Sequence, residues 1–144
     1  MMWAKDGFAV SDRREDKDVS MIHDFLSESY WARGIDKAIV EQSIQYSLCL
    51  GFFQKGAQIG FGRATTGRSI FSSLTDIFVL EPSRGQGHGK WLIDWFLRHP
   101  DLQGLRRWLV AMADAHGLYQ QKGFVPLAEP KRFMEKSRTS TKRV

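Results

Sequence analysis

The residues best placed to do chemistry lie between Thr75 and Lys90: Thr75-Asp76-Ile77-Phe78-Val79-Leu80-Glu81-Pro82-Ser83-Arg84-Gly85-Gln86-Gly87-His88-Gly89-Lys90. An apolar, strand-like run gives way to three alternating glycines and then to helical spacing. Glycines lack a Cβ, so the backbone can approach a ligand closely. A helix N-terminus adds N–H groups without an intrahelical acceptor and the positive end of the helix dipole. Together these suit an anion, phosphate above all; a tight turn alone would use the same glycines. Two phosphate-binding patterns do not fit. A P-loop counted back from Gly89-Lys90 would put its first glycine at Arg84 and its hydroxyl residue at Trp91. A Gly-x-Gly-x-x-Gly fingerprint starting at Gly85 and Gly87 would need its third glycine at Lys90. What remains is Arg84-x-x-Gly87-x-Gly89.

Asp76 is the second residue of interest. It sits among Leu74, Ile77 and Phe78. A carboxylate in an apolar strand is costly unless it is paired or opens onto a wet cleft. The four histidines (His23, His88, His99, His116) show no metal-ligand spacing, so no metal is expected. Cys49, between Leu48 and Leu50, reads as a buried strand residue. A single cysteine excludes a disulfide within the chain and a cysteine-built zinc site, and it fits a reducing cytoplasm.

The stretch Arg84-Gly85-Gln86-Gly87-His88-Gly89, led in by Val79-Leu80-Glu81-Pro82-Ser83, resembles the cofactor signature of the GNAT superfamily of acyl-CoA-dependent N-acyltransferases. A second segment, Gly117-Leu118-Tyr119-Gln120-Gln121-Lys122-Gly123-Phe124, is similar to that family's Leu-Tyr-x-x-x-Gly-Phe and follows in the expected order. The order of elements extends the resemblance over residues 8–136. It implies acetyl transfer from acetyl-CoA to a primary amine of a small molecule or protein, by direct attack in a ternary complex. It places the cofactor pyrophosphate on the loop of Arg84, Gly85, Gln86, Gly87, His88 and Gly89, with Lys90 as a further phosphate contact. The pantetheine arm would pair with the backbone of Ile77, Phe78 and Val79 as an added strand does. The resemblance also implies Tyr119 as the acid that protonates the leaving thiolate. The family's usual glutamate base would fall at Ser73, so Asp76 becomes the candidate base, directly or through water. Tyr30, Trp31 and Arg33 would serve the acceptor, with Arg33 able to hold a carboxylate. The departure at Ser73 leaves one alternative, a non-catalytic acyl-CoA-binding or sensing module.

The elements that must position these residues follow from periodicity. Residues 7–12 read as a short strand. Val19, Ile22, Phe25 and Leu26 share one helical face, capped by Asp18. A second helix is expected over residues 36–45, with Ile35, Ile39 and Ile44 inward. Residues 47–54 and 57–64 form a hairpin about Lys55-Gly56. A strand over 70–80, the glycine loop, a helix over 89–99, a strand over 105–112 and a short helix over 114–122 follow. Asp114 would cap that last helix. Two final strands are expected at 124–127 and 132–136. The fold class is therefore a mixed α/β (α+β) sheet; the resemblance makes it a largely antiparallel twisted sheet flanked by about four helices. The resemblance adds a splay between the cofactor strand and the next.

The chain has 144 residues, 42% hydrophobic and 26% charged, enough for one core and so one domain. No apolar run nears the ~20 residues of a membrane span, and the N-terminus lacks a signal-peptide pattern. A net charge of +5 favours an anionic partner. No nucleic-acid motif accompanies it, so neither nucleic acid nor membrane is an expected partner. Residues 137–144 read as a flexible basic tail. A monomer or homodimer is expected.

Overall fold

The computed structural model describes residues 2–111 and 116–138. The chain divides into two compact units, Met1–Met112 and Ala113–Val144. In the first unit, six strands stand in sequence order: β1 (Met2–Lys5), β2 (Phe8–Ser11), β3 (Leu48–Gln54), β4 (Ala57–Thr66), β5 (Phe71–Val79) and β6 (Arg107–Val110). All neighbours are antiparallel except β5 and β6, which are parallel. Three helices join them: α1 (Val19–Glu28), α2 (Lys37–Gln45) and α3 (His88–Arg98).

Two tight hairpins set the register. Lys55 and Gly56 both take positive φ between the paired residues Gln54 and Ala57. Asp6 and Gly7 do the same between Lys5 and Phe8. Two consecutive left-handed residues match the twist of the flanking strands. The second hairpin adds β1, a strand the periodicity reading omitted although Asp6-Gly7 is a strong turn signal.

Helix α1 starts where the Asp18 carboxylate accepts the Met21 N–H at 3.1 Å, as expected. It buries Ile22 and Leu26. Helix α2 buries Val40 and Ile44, whereas Ile39, expected inward, is exposed. The pair Val40 and Ile44, four apart, defines the inward stripe, and Ile39 lies a helical step away from it. These side chains form one core with Cys49, Phe61 and Phe78. Successive strand residues point to opposite sides, so Gly62 faces away from Phe61, toward α3. A Cβ at Gly62 would stand 2.6 Å from Cε2 of Phe96. The missing side chain thus lets α3, with its buried Leu92, Ile93 and Phe96, settle on that face.

In the second unit, α4 covers His116–Gln120. Asp114, its expected cap, and the side chain of His116 lie outside the described residues, as do residues 139–144. The strands expected at 124–127 and 132–136 do not form: among the described residues this region holds only a 3-10 turn at Pro130–Arg132. Pro126 lacks the N–H that a ladder requires, and the turn beginning at Pro130 takes up Arg132, the first residue of the second expected strand.

Candidate active site

The glycine loop begins where β5 ends. The Leu80 N–H donates to the Ile59 carbonyl at 2.8 Å, and a 3-10 turn follows at Glu81–Ser83. Arg84 then folds back, and its Nε donates to the Val79 carbonyl at 2.8 Å. Gly85 and Gly87 take φ of +82° and +81°, where a Cβ is strained. Gly87 caps α3, and the Trp91 N–H closes the first turn on the Gly87 carbonyl at 3.2 Å. The N–H groups of His88, Gly89 and Lys90 stand ahead of that bond, pointing out of the helix start. This is the cradle an anion requires. Gln86 and Lys90 are exposed there.

His88 contributes differently from its neighbours. Its ring is buried against Phe8 and Phe52, with centroids 4.9 and 4.8 Å away. Its Nε2 has no hydrogen-bond partner among the described residues. The backbone of His88 belongs to the loop, while its side chain pins the start of α3 to the sheet.

The strand leading into the loop is half open. Pairing of β5 with β6 runs from Phe71↔Arg107 to Leu74↔Val110 and stops. Ile77, Phe78 and Val79 lie beyond it, so on that side their backbone faces no strand among the described residues. The Phe78 side chain is turned inward, stacked on Phe25 at 3.8 Å.

Between the paired and open parts of β5 lies a bulge. Phe61 pairs with Phe78 and Arg63 with Thr75, which leaves Asp76 and Ile77 opposite the single residue Gly62. Asp76 takes φ +54°, a conformation aspartate tolerates better than most residues. Its carboxylate has two partners. Trp31 Nε1 donates to Oδ1 at 2.7 Å, and Arg63 Nε donates to Oδ2 at 3.0 Å. Arg63 also donates through Nη1 to Ser47 Oγ at 3.1 Å and to Thr65 Oγ1 at 2.9 Å. The ion pair is largely screened from water, with side-chain exposures of 19% for Arg63 and 11% for Asp76.

Two groups of residues read separately in the sequence therefore meet. Trp31, on the loop between α1 and α2, reaches 45 positions along the chain to Asp76. Tyr30 packs edge-on against Trp31 at 5.0 Å, and both rings are exposed. Arg33 is exposed on the same loop. Arg63, with its supports Ser47 and Thr65, was missed. The available signal was an arginine in the apolar run Ile59-Gly60-Phe61-Gly62, one strand before an equally misplaced aspartate.

In the second unit, the Leu-Tyr-x-x-x-Gly-Phe segment is a helix ending. Gly123 takes φ +93°. Its N–H donates to the Gln120 carbonyl at 3.1 Å, and the Phe124 N–H donates to the Tyr119 carbonyl at 3.1 Å. This is the Schellman pattern, and the ring contact of Tyr119 with Phe124 at 5.5 Å is its usual apolar partner. Glycine is needed for the left-handed turn, and phenylalanine holds the buried tyrosine.

Cys49 is buried, and desolvation pushes its thiol up to about 12. It is not a nucleophile. No cluster able to hold a metal exists among the described residues, and no described helix is long and apolar enough to cross a membrane.

An open, mostly antiparallel sheet whose strand β5 runs through a glycine-rich turn into α3 is an arrangement shared with known acetyltransferases. The model of the acetyltransferase (GNAT) domain matches residues 45–126. A crystal structure of a GNAT-family protein from Xanthomonas campestris pv. campestris is 41% identical, with a TM-score of 0.89 over 93% of this chain and 95% of that one. A Gibberella zeae protein classed as an acetyltransferase is 24% identical over 81% of this chain and 78% of its own length. A Clostridium acetobutylicum acetyltransferase, solved with acetyl-CoA, shares the fold at a TM-score of 0.66 and 12% identity, over 97% of this chain and 98% of that one. The chain belongs to the GNAT acetyltransferase family and is an acyltransferase.

Proposed function

We propose that this enzyme transfers an acetyl group from acetyl-CoA to a primary amine by direct attack, both substrates being bound together. One observation carries the reading. On the single strand β5 and the loop it enters, a bulge carboxylate, an open backbone edge and an anion cradle follow one another between Asp76 and Lys90. The loop fits the cofactor: two left-handed glycines and three outward N–H groups suit a pyrophosphate, and Lys90 adds a cation. The edge at Ile77, Phe78 and Val79 suits an extended arm that pairs like a strand. Acetyl-CoA, when bound, supplies an activated carbonyl and a thiolate leaving group.

The proton steps fall to two residues. Asp76 takes the proton from the acceptor ammonium, directly or through one water. Each of its oxygens accepts one hydrogen bond and keeps a second acceptor site. Tyr119 gives its phenolic proton to the leaving sulfur. No enzyme-bound acyl group is needed, in keeping with the buried thiol of Cys49. Tyr30 and Trp31 form the acceptor wall, Arg33 guards its rim, and the lone reduced cysteine fits a cytoplasmic setting.

The test compares two variants on one acceptor, with thiol release as the readout. Tyr119→Phe should lower kcat roughly 10²–10⁴-fold, with no recovery at high pH, because its defect lies at the leaving group. Asp76→Asn should regain activity as pH rises and more of the amine is already neutral. Full activity of Asp76→Asn at neutral pH would remove Asp76 from the chemistry. Absence of thiol release with every amine of a broad panel would overturn the reading as a whole.

A further inference from the structure

The Arg63 guanidinium is only partly used. Nε is spent on Asp76, and Nη1 on Ser47 and Thr65. Nη2 has no hydrogen-bond partner among the described residues, and it is not among the buried unsatisfied atoms. It therefore reaches solvent in a side chain that is otherwise four-fifths covered. Guanidinium geometry fixes where it points: one N–H of Nη2 runs parallel to the Nε–H that meets Asp76. A donor and the candidate base thus lie side by side, next to the Trp31 indole that also donates to Asp76.

From this we infer that Arg63 selects an acceptor that carries a carboxylate beside its amine, an amino-acid-type substrate. The inference rests on the acetyl-transfer reading and names the substrate class of the same site. Charge supports it. Arg63 neutralises Asp76 internally, so a bare ammonium entering beside the pair would meet a guanidinium without compensation. A zwitterion matches both ends: its ammonium lies at Asp76 and its carboxylate at Nη2. Three existing hydrogen bonds hold the guanidinium in place, so little side-chain freedom is lost on binding. The bulge is what brings the two charges to one face, because the left-handed turn at Asp76 reorients the strand at that residue. Arg33, exposed on its loop, has no such scaffold.

The experiment uses matched pairs that differ only in the carboxylate: phenylalanine against phenethylamine, and alanine against ethylamine. The parent should prefer the acid-bearing member in kcat/KM. In Arg63→Lys, which keeps a cation for Asp76 but loses the forked donor, that preference should fall roughly ten- to hundred-fold, as for a lost hydrogen bond to a charged group. Using the ratio within a pair cancels any loss common to both members. A second readout needs no turnover: the Trp31 indole N–H resonance, assigned by its absence in Trp31→Phe, should shift on addition of phenylalanine in the parent and much less in Arg63→Lys. A parent ratio near one, or a ratio unchanged in Arg63→Lys, overturns the inference while leaving acetyl transfer intact. An Arg63-dependent shift without thiol release from any amine would uphold the inference and sink the catalytic reading. No shift, together with no thiol release from any amine, would remove both.

Discussion

The thiol of Cys49 illustrates how burial alone decides a residue's chemistry. Its neutral form is favoured in the folded chain, and its pKa rises from 9.0 to about 12. A raised pKa means that the stabilising contribution is complete below pH 9 and is lost as pH climbs toward 12. The urea midpoint should therefore decline more steeply over that window in the parent than in Cys49→Ala. Iodoacetamide at about pH 8, just below the ordinary thiol pKa, should label the chain only after denaturation; rapid labelling of native protein would contradict the burial. The sequence announced this residue correctly, because Leu48 and Leu50 flank it. It announced Asp76 as anomalous but could not supply its partners. Trp31 and Arg63 are 45 and 13 positions away, and only the bulge, invisible to a two-residue period, brings them to one carboxylate. The local motifs fared better because their chemistry is local: Gly85, Gly87 and Gly123 are each required by a left-handed turn.

At the scale of elements, two glycines do unlike work and should respond unlike one another. Gly62→Ala places a methyl group 2.6 Å from Phe96 Cε2 and 3.1 Å from Ile77 Cγ1. Overpacking of this kind costs about 1–3 kcal/mol, so the urea midpoint should fall with the m-value unchanged. A Gly62→Ala variant as stable as the parent would mean that α3 can shift on the sheet. Gly87 has open space around it, and its constraint is the φ of +81°. Gly87→Val should force the cap of α3 out of shape and weaken CoA binding far more than it weakens folding; calorimetry with unchanged affinity would remove the loop from the cofactor site. The helices were legible because apolar spacing and caps lie within each segment. The β1–β2 hairpin escaped the periodicity because β1 is four residues long, too short to show alternation beside its Asp6-Gly7 turn. Of the two final strands expected, the first contains Pro126, which cannot donate to a ladder, and the start of the second, Arg132, is taken up by the 3-10 turn at Pro130–Arg132.

For the first unit as a whole, strand order is sequence order, so every antiparallel pair joins neighbours in the chain. The hairpins β1–β2 and β3–β4 close over two residues each. The parallel pair is β5–β6: like β3, which returns to β2 after α1 and α2, β6 meets β5 only after a long excursion, here through the glycine loop and α3. Among the described residues, four pairs reward that excursion, from Phe71↔Arg107 to Leu74↔Val110. Closing a long loop costs chain entropy before any contact repays it, so such pairings form late and open early. Amide hydrogen exchange should release Arg107–Val110 well before the β3–β4 ladder, through an opening smaller than global unfolding. Equal protection of the two would show that the sheet melts as one body. Among the described residues, the backbone at Ile77, Phe78 and Val79 is left without a strand partner on the side where β6 ends at Val110. A strand stitched along its full length would have left no backbone to receive the proposed cofactor arm, so the short seam expected to open early in exchange is the one the proposed chemistry requires to stay ajar.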